Sequence, residues 1–197
     1  MYGRGAAALA REINKVVKDP VTPQDTQQII DGLAEQFPKA WQWLVDNSNF
    51  AVENEYVPNA FGRRRYFQGA CEMSDRDKAA VQREAKNSPI QGCVADLLAK
   101  AGYMLHRIMR KLRQQGKAPD MEILLPVHDA FLFEIKISDL PEAIPLIDFC
   151  LGSGNKIPGT DYHLGVDIEV FPHSWGDKAM DPHKHAAKLS EFIQQAA

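Results

Sequence analysis

The chain has 197 residues, 45% hydrophobic and 25% charged, with 23 lysines and arginines against 26 aspartates and glutamates. That length and apolar fraction suffice for one globular domain with a sizeable core, or for two small lobes. The mix excludes a disordered chain, a collagen-like chain and a disulfide scaffold, while the net charge of −3 excludes only a uniformly basic nucleic-acid coat and leaves local patches open.

Three cysteines, Cys71, Cys93 and Cys150, form no CxxC pair and leave an odd thiol. They exclude a four-cysteine zinc site and fit a reducing, cytoplasmic location. No apolar run approaches the roughly 18 residues of a membrane span, so no membrane partner is expected. The apolar stretch at the start is too short for a secretory signal, and Glu12 interrupts the acid-free pattern of a mitochondrial presequence.

In chain order, Leu9, Ile13, Val16 and Val17 keep helical spacing and predict a helix over 6–17. Pro20 and Pro23 end it, and Thr22-Pro23 opens a second helix with threonine as N-cap and proline at the first helical position. A third helix follows Pro38 and carries Trp41, Trp43, Leu44 and Val45. Tyr56 to Gln68 breaks the pattern and reads as an extended segment and a turn or hairpin, with Gly62 before three arginines. Ser74-Asp-Arg-Asp77 resembles a capping box opening a long helix. Pro89 inside that helix predicts a kink or a restart, with Asn87 or Ser88 as cap.

Gly116 closes the helix. Met121 to Val127 and the alternating run from Phe131 to Ile137 predict two strands flanking His128-Asp129, the inner one the more buried. A helix over 140–151, a glycine-rich loop, a last strand at Val166-Ile168-Val170 and a short amphipathic tail helix near 189–193 complete the chain. The class is α+β, helices first and a small antiparallel sheet late.

Three groups of residues can carry chemistry. Asp129, at a turn between two apolar strands, is held with its oxygens outward, which suits a hard cation such as Mg²⁺; the alternative is a polar hairpin turn. Arg63, Arg64 and Arg65, next to Tyr66-Phe67, suit a phosphate backbone or base stacking, or form a solvated basic turn. Arg83, Asn87 and Gln91 lie at i, i+4 and i+8 and form one polar stripe on an uninterrupted helix. All three can donate to the minor-groove acceptors that every base pair presents; the alternative is a solvated helix face. The loop Gly152 to Lys156 lacks phosphate-loop spacing, and nothing frames His183 and His185 as a metal site.

The ordered set Tyr2-Gly3-Arg4-Gly5, Phe61-Gly62-Arg63-Arg64-Arg65, Arg83 to Gly92 with Ala95-Asp96, and Leu125-Pro-Val-His-Asp129 resembles the C-terminal part of family A (Pol I-like) DNA polymerases. Val166 to Val170 and Ser174-Trp175-Gly176 are similar to that family's chain end, so the resemblance covers about residues 1–180. It implies a partial right-hand polymerase of phage or bacterial type: a fingers remnant over 1–55, a palm portion over 56–180 and a tail over 181–197.

The resemblance also implies roles. Tyr2 matches the end of motif B, near the templating base and the incoming nucleotide. Arg63, Arg64 and Arg65 match a primer-template contact segment, and Arg83, Asn87 and Gln91 match residues that hydrogen-bond the minor groove beside the growing end. His128 matches the residue that contacts the primer terminus. Asp129 matches the motif C aspartate, catalytic and a ligand of two Mg²⁺ ions shared with an aspartate of motif A.

Two departures stand out. Ala130 replaces the glutamate that usually follows the motif C aspartate, and motif A, the rest of the fingers helix, a thumb and an exonuclease domain are not seen in these 197 residues. The expected function is therefore the C-terminal portion of a template-directed DNA polymerase, a nucleotidyltransferase that adds deoxynucleotides to a primer 3′ end. Its partners would be primer-template DNA, deoxynucleoside triphosphates and a complementary N-terminal polymerase chain, without which the chain is expected to be inactive. The alternative is a non-catalytic DNA-binding subunit or a decayed fragment.

Overall fold

The computed structural model describes residues 5–171 and 174–182. The chain divides into two compact units, Met1–Cys93 and Val94–Ala197, and the division falls inside one long helix. The arginine-bearing hairpin shares a core with the helix before it.

In the first unit, α1 (Ala6–Ile13) stops short of the predicted Val17. The physical reason is Asn14, whose amide oxygen accepts from the Val21 N–H at 2.8 Å while its Nδ2 donates to the Val21 carbonyl at 3.0 Å. A side chain offering the backbone that exchange competes with the next helical turn. Val16, left outside the helix, is 85% exposed.

The start of α2 (Pro23–Gln36) is as predicted, with a complete capping box in which Thr22 and Asp25 bond each other's backbone N–H. Thr26, fully buried, donates its hydroxyl to the Ala6 carbonyl at 2.8 Å and ties α2 to the first turn of α1. The third helix, α3 (Pro38–Asn54), ends at Glu55, which takes a left-handed conformation. Strands β1 (Tyr56–Pro58) and β2 (Arg64–Tyr66) pair antiparallel as a hairpin. Ala51, Val57, Phe67, Ala70, Val81 and Ala85 form the core that holds this hairpin between α3 and the next helix.

That helix, α4 (Asp75–Gln114), begins with the Ser74 and Asp77 side chains bonded to each other and the Asp77 N–H bonded to the Ser74 hydroxyl. It does not restart at Pro89. The proline sits inside a continuous helix and is buried, and the Ser88 hydroxyl just before it donates to the Glu84 carbonyl at 2.8 Å. Neither Asn87 nor Ser88 caps a new helix.

In the second unit, α4 ends at Gln114, and Gly116 just beyond it takes the left-handed φ of +64° expected of a helix stop. Strands β3 (Met121–Val127) and β4 (Ala130–Ile135) pair antiparallel with a register irregularity between Ile123 and Leu125. Leu105, Met109, Met121, Ala143, Ile147 and Cys150 form the core between α4, the hairpin and α5 (Leu140–Leu151).

Two expectations are corrected here. The first strand of the hairpin is the more exposed one, with Ile123, Leu124 and Leu125 at 37%, 50% and 43% exposure. The last predicted strand is extended chain and not a strand: Val166, Ile168 and Val170 are half-buried and alternate with exposed neighbours. Among the described residues it pairs only through the isolated bridge of Val170 with Met180. Alternation reports one buried side, and a ladder requires a neighbouring backbone as well. The predicted tail helix and the residues His183 and His185 lie outside the described residues.

Candidate functional site

The site residues fall in two groups, one in each unit. In the first unit the loop joining β1 to β2 is built on Asn59. Its side-chain oxygen accepts the N–H groups of Phe61 and Arg63, each at 3.0 Å, and its backbone exchanges bonds with Arg63 and Gly62. Gly62 supplies the positive φ, +81°, that closes the loop. The loop then meets α4: the Ala60 N–H lies 3.4 Å from the Cys93 sulfur, and a Cβ added at Gly92 would stand 3.0 Å from Asn59 Nδ2. Neither Asn59 nor Gly92 was singled out from the sequence. An asparagine three residues before a glycine, after a proline, is a turn signal that could have found the first.

The three arginines differ. Arg65 forms an ion pair with Glu84 of α4, its Nε at 3.0 Å and Nη2 at 2.6 Å from Oε1. It therefore locks the hairpin to the helix. Arg64 lies over the Tyr56 ring, its guanidinium carbon 4.4 Å from the ring centre, and is exposed on the strand surface. Arg63 is also exposed, beside the loop that Asn59 shapes.

Arg83, Asn87 and Gln91 all lie on α4, whose continuity through Pro89 keeps the i, i+4, i+8 spacing on one helix face. Arg83 and Gln91 are exposed and Asn87 is half-buried. The Asn87 Oδ1 is shut off from solvent and has no hydrogen-bond partner among the described residues.

In the second unit, His128 and Asp129 are the two residues of the tight turn that joins Val127 to Ala130. Both are exposed. His128 takes a φ of +55° and Asp129 does not, so the first position of the turn is in a conformation that usually asks for glycine. A strained, two-residue turn gives its carboxylate few alternative directions. Pro126, the partner of Phe131, has no N–H to give and sits in a hairpin whose two strands have no further strand beside them among the described residues.

Asp129 shares the lining of one open cleft with two other carboxylates, Asp167 and Glu169, on the extended chain after α5. Among the described residues no three histidines, cysteines, aspartates or glutamates gather closely enough to hold a metal ion. Glu134 lies down the strand opposite Glu122, away from the tip. An open cleft of about 670 Å³ runs from Asp129 along β4 to the extended chain at Val166 and Ile168. Tyr2 lies outside the described residues.

Comparison with known proteins decides what these groups belong to. The family model described as DNA polymerase family A matches residues 1–177. The chain belongs to DNA polymerase family A. It is 32% identical over 176 residues to DNA polymerase I of Chloroflexus aurantiacus, covering 88% of this chain and 17% of that protein. It is 28% identical over 170 residues to the thermostable DNA polymerase I of Thermus filiformis, covering 86% of this chain and 18% of that protein. Among solved structures it is similar to the POL domain of Pol1 from M. smegmatis in complex with DNA primer-template and dNTP, with a TM-score of 0.68 and 25% identity. That match covers 83% of this chain and 26% of the other. The chain thus spans about a sixth of the length of the two DNA polymerases I and about a quarter of the solved chain. Among its described residues no helix is long and apolar enough to cross a membrane.

Proposed function

We propose that this chain is the C-terminal palm-and-fingers portion of a template-directed DNA polymerase, which adds deoxynucleotides to a primer 3′ end once joined by N-terminal polymerase sequence carrying motif A. The observation that carries the reading is Asp129 at the tip of a strained two-residue hairpin, in a chain of this family. The donor chemistry fits magnesium in part. Mg²⁺ takes one or two carboxylates and completes its shell with substrate phosphates and water, and Asp129 offers one such carboxylate.

When bound, a pair of Mg²⁺ ions would lower the pKa of the primer hydroxyl and offset the charge of the leaving pyrophosphate. The chain's own residues supply position. Asp129 holds its carboxylate at the hairpin tip, and His128 meets the primer terminus. Arg83, Asn87 and Gln91 donate to the purine N3 and pyrimidine O2 acceptors of the newest base pairs, which tests pair shape without reading sequence. Arg63 and Arg64 face the phosphate backbone, Arg65 holds their hairpin against α4, and Tyr2 lies beside the incoming nucleotide. The free state of the three cysteines accords with a reducing compartment.

The test is primer extension by the full chain mixed with the N-terminal polymerase portion of a family relative, with Mg²⁺ and deoxynucleotides. Extension is expected only in the mixture. Asp129→Ala should slow it by about two to three orders of magnitude, the equivalent of several kcal/mol of lost charge stabilisation. Extension that survives Asp129→Ala would refute the assignment. Ala130, which removes a carboxylate beside Asp129, favours a second reading: a DNA-binding portion without catalysis. That reading predicts salt-sensitive binding to primer-template and no Mg²⁺-dependent extension with any partner.

A further inference from the structure

Between Leu97 and Pro119 the sequence holds six lysines and arginines and no acidic residue, in a protein whose net charge is −3. Most of this stretch is the second half of α4, which buries Leu105 and Met109 on one side. On the exposed side, Tyr103, His106, Arg107, Arg110, Lys111 and Gln114 follow one another at helical spacing and line a shallow depression of about 420 Å³. Of the six, Lys100 donates to the Lys156 carbonyl, Arg113 pairs with Glu122, and Lys117 lies beyond the end of α4. Arg107, Arg110 and Lys111 have no acidic partner among the described residues.

Two ordinary explanations cover only part of this. Cations in the last helical turn complement the helix dipole, which accounts for Lys111 and Arg113 but falls off before Arg107. A merely solvated helix face usually mixes both signs at i, i+4, and here one sign is missing over more than four turns. Tyr103 adds a second kind of group. Its ring is 62% exposed, with the Arg107 guanidinium loosely over it at 5.8 Å. Unpaired cations in a row beside an open aromatic ring match a polyanion that carries flat bases, because the phosphates take the charge and a base takes the ring.

We propose that this face of α4 binds single-stranded nucleic acid, with Arg107, Arg110 and Lys111 on successive phosphates and Tyr103 stacked on a base. The surface uses none of the residues assigned to primer-template contact, so it stands whether or not the chain polymerises.

The experiment measures fluorescence anisotropy of a labelled oligothymidylate of about twelve nucleotides against the full chain over a salt series. Arg64→Gln and Arg83→Gln are present throughout, so that the other basic surface does not mask the result. Adding Arg107→Gln, Arg110→Gln and Lys111→Gln should reduce the slope of log affinity against log salt by about 2. Arg107→Gln alone should reduce it by about 0.7 and keeps the test available if the triple variant does not fold. Tyr103→Ala should weaken binding about fivefold or more. An unchanged slope and affinity in a folded variant overturns the proposal. So does polyglutamate of equal charge binding as tightly as the oligonucleotide and indifferently to Tyr103→Ala, which makes the face a dock for acidic peptide.

Discussion

His128 is where the hairpin tip stores strain. A side chain at a φ of +55° places its Cβ close to the following carbonyl, at about 1 kcal/mol or somewhat more, and glycine is free of that penalty. His128→Gly should therefore be more stable than His128→Ala by about 1 kcal/mol in urea unfolding. Both should weaken primer use, seen as a raised KM for primer-template in the reconstituted reaction. The choice of histidine over glycine at this position is consistent with a residue kept for contact and not for turn geometry. None of this strain was legible in the sequence, since His-Asp is an acceptable turn pair and backbone dihedrals depend on the register that brings Val127 opposite Ala130.

Among the elements, the β1–β2 hairpin and the β3–β4 hairpin are each positioned by a few side chains. Gly92 lets Asn59 approach α4, and Asn59 in turn holds the Phe61 and Arg63 N–H groups. Gly92→Ala should leave the melting temperature nearly unchanged, because about 1 kcal/mol of helix propensity offsets the displaced asparagine. The same change should lower primer-template affinity measured by anisotropy, because the arginine loop moves. In the second unit Asp139 anchors the start of β3. Its carboxylate accepts the Asp120 N–H at 2.8 Å, and this bond, with the Ser138 hydroxyl and Lys136 adding to it, holds it below the ordinary aspartate range. A carboxyl depressed in the folded state contributes stability above its unfolded pKa and loses it as pH falls through the folded one. Asp139→Asn should accordingly be less stable than the parent at about pH 5, with the gap closing towards about pH 3 in urea titrations. Periodicity found both helices around these hairpins, and the capping residues Thr22 and Ser74 were readable because their partners are three residues away. The pairings Arg65 with Glu84 and Asn59 with Gly92 were not, because they join positions far apart in sequence.

At the scale of the whole molecule, exposed apolar surface stands out. Ile123, Leu124 and Leu125 on β3, together with Val16, Trp41 and Trp43 in the first unit, are each more than a third exposed. A strand paired on one edge only among the described residues, with exposed apolar side chains, invites another backbone or side-chain layer. On the proposed function that layer is N-terminal polymerase sequence. The chain alone should then bind hydrophobic dye and self-associate in size-exclusion chromatography. A complementary N-terminal polymerase portion should suppress both and raise the melting temperature, by the equivalent of about 2.7 kcal/mol at a hundredfold excess over its Kd. A chain that stays monomeric, dye-free and unmoved by that portion overturns the expectation.

By itself the sequence determined the family, the helical lobe and the two hairpins, because those rest on ordered local motifs and on spacings of two or 3.6 residues. It also placed Ala130, which carries no carboxylate, directly after Asp129. Only the tertiary structure decided that α4 runs through Pro89 without a break, that Arg65 is spent on Glu84, that β3 is the exposed strand, and that Val166 to Val170 is extended chain with a single bridge. Each of these depends on what lies across a gap in space, and local pattern reports which side of an element is buried without naming the neighbour that buries it.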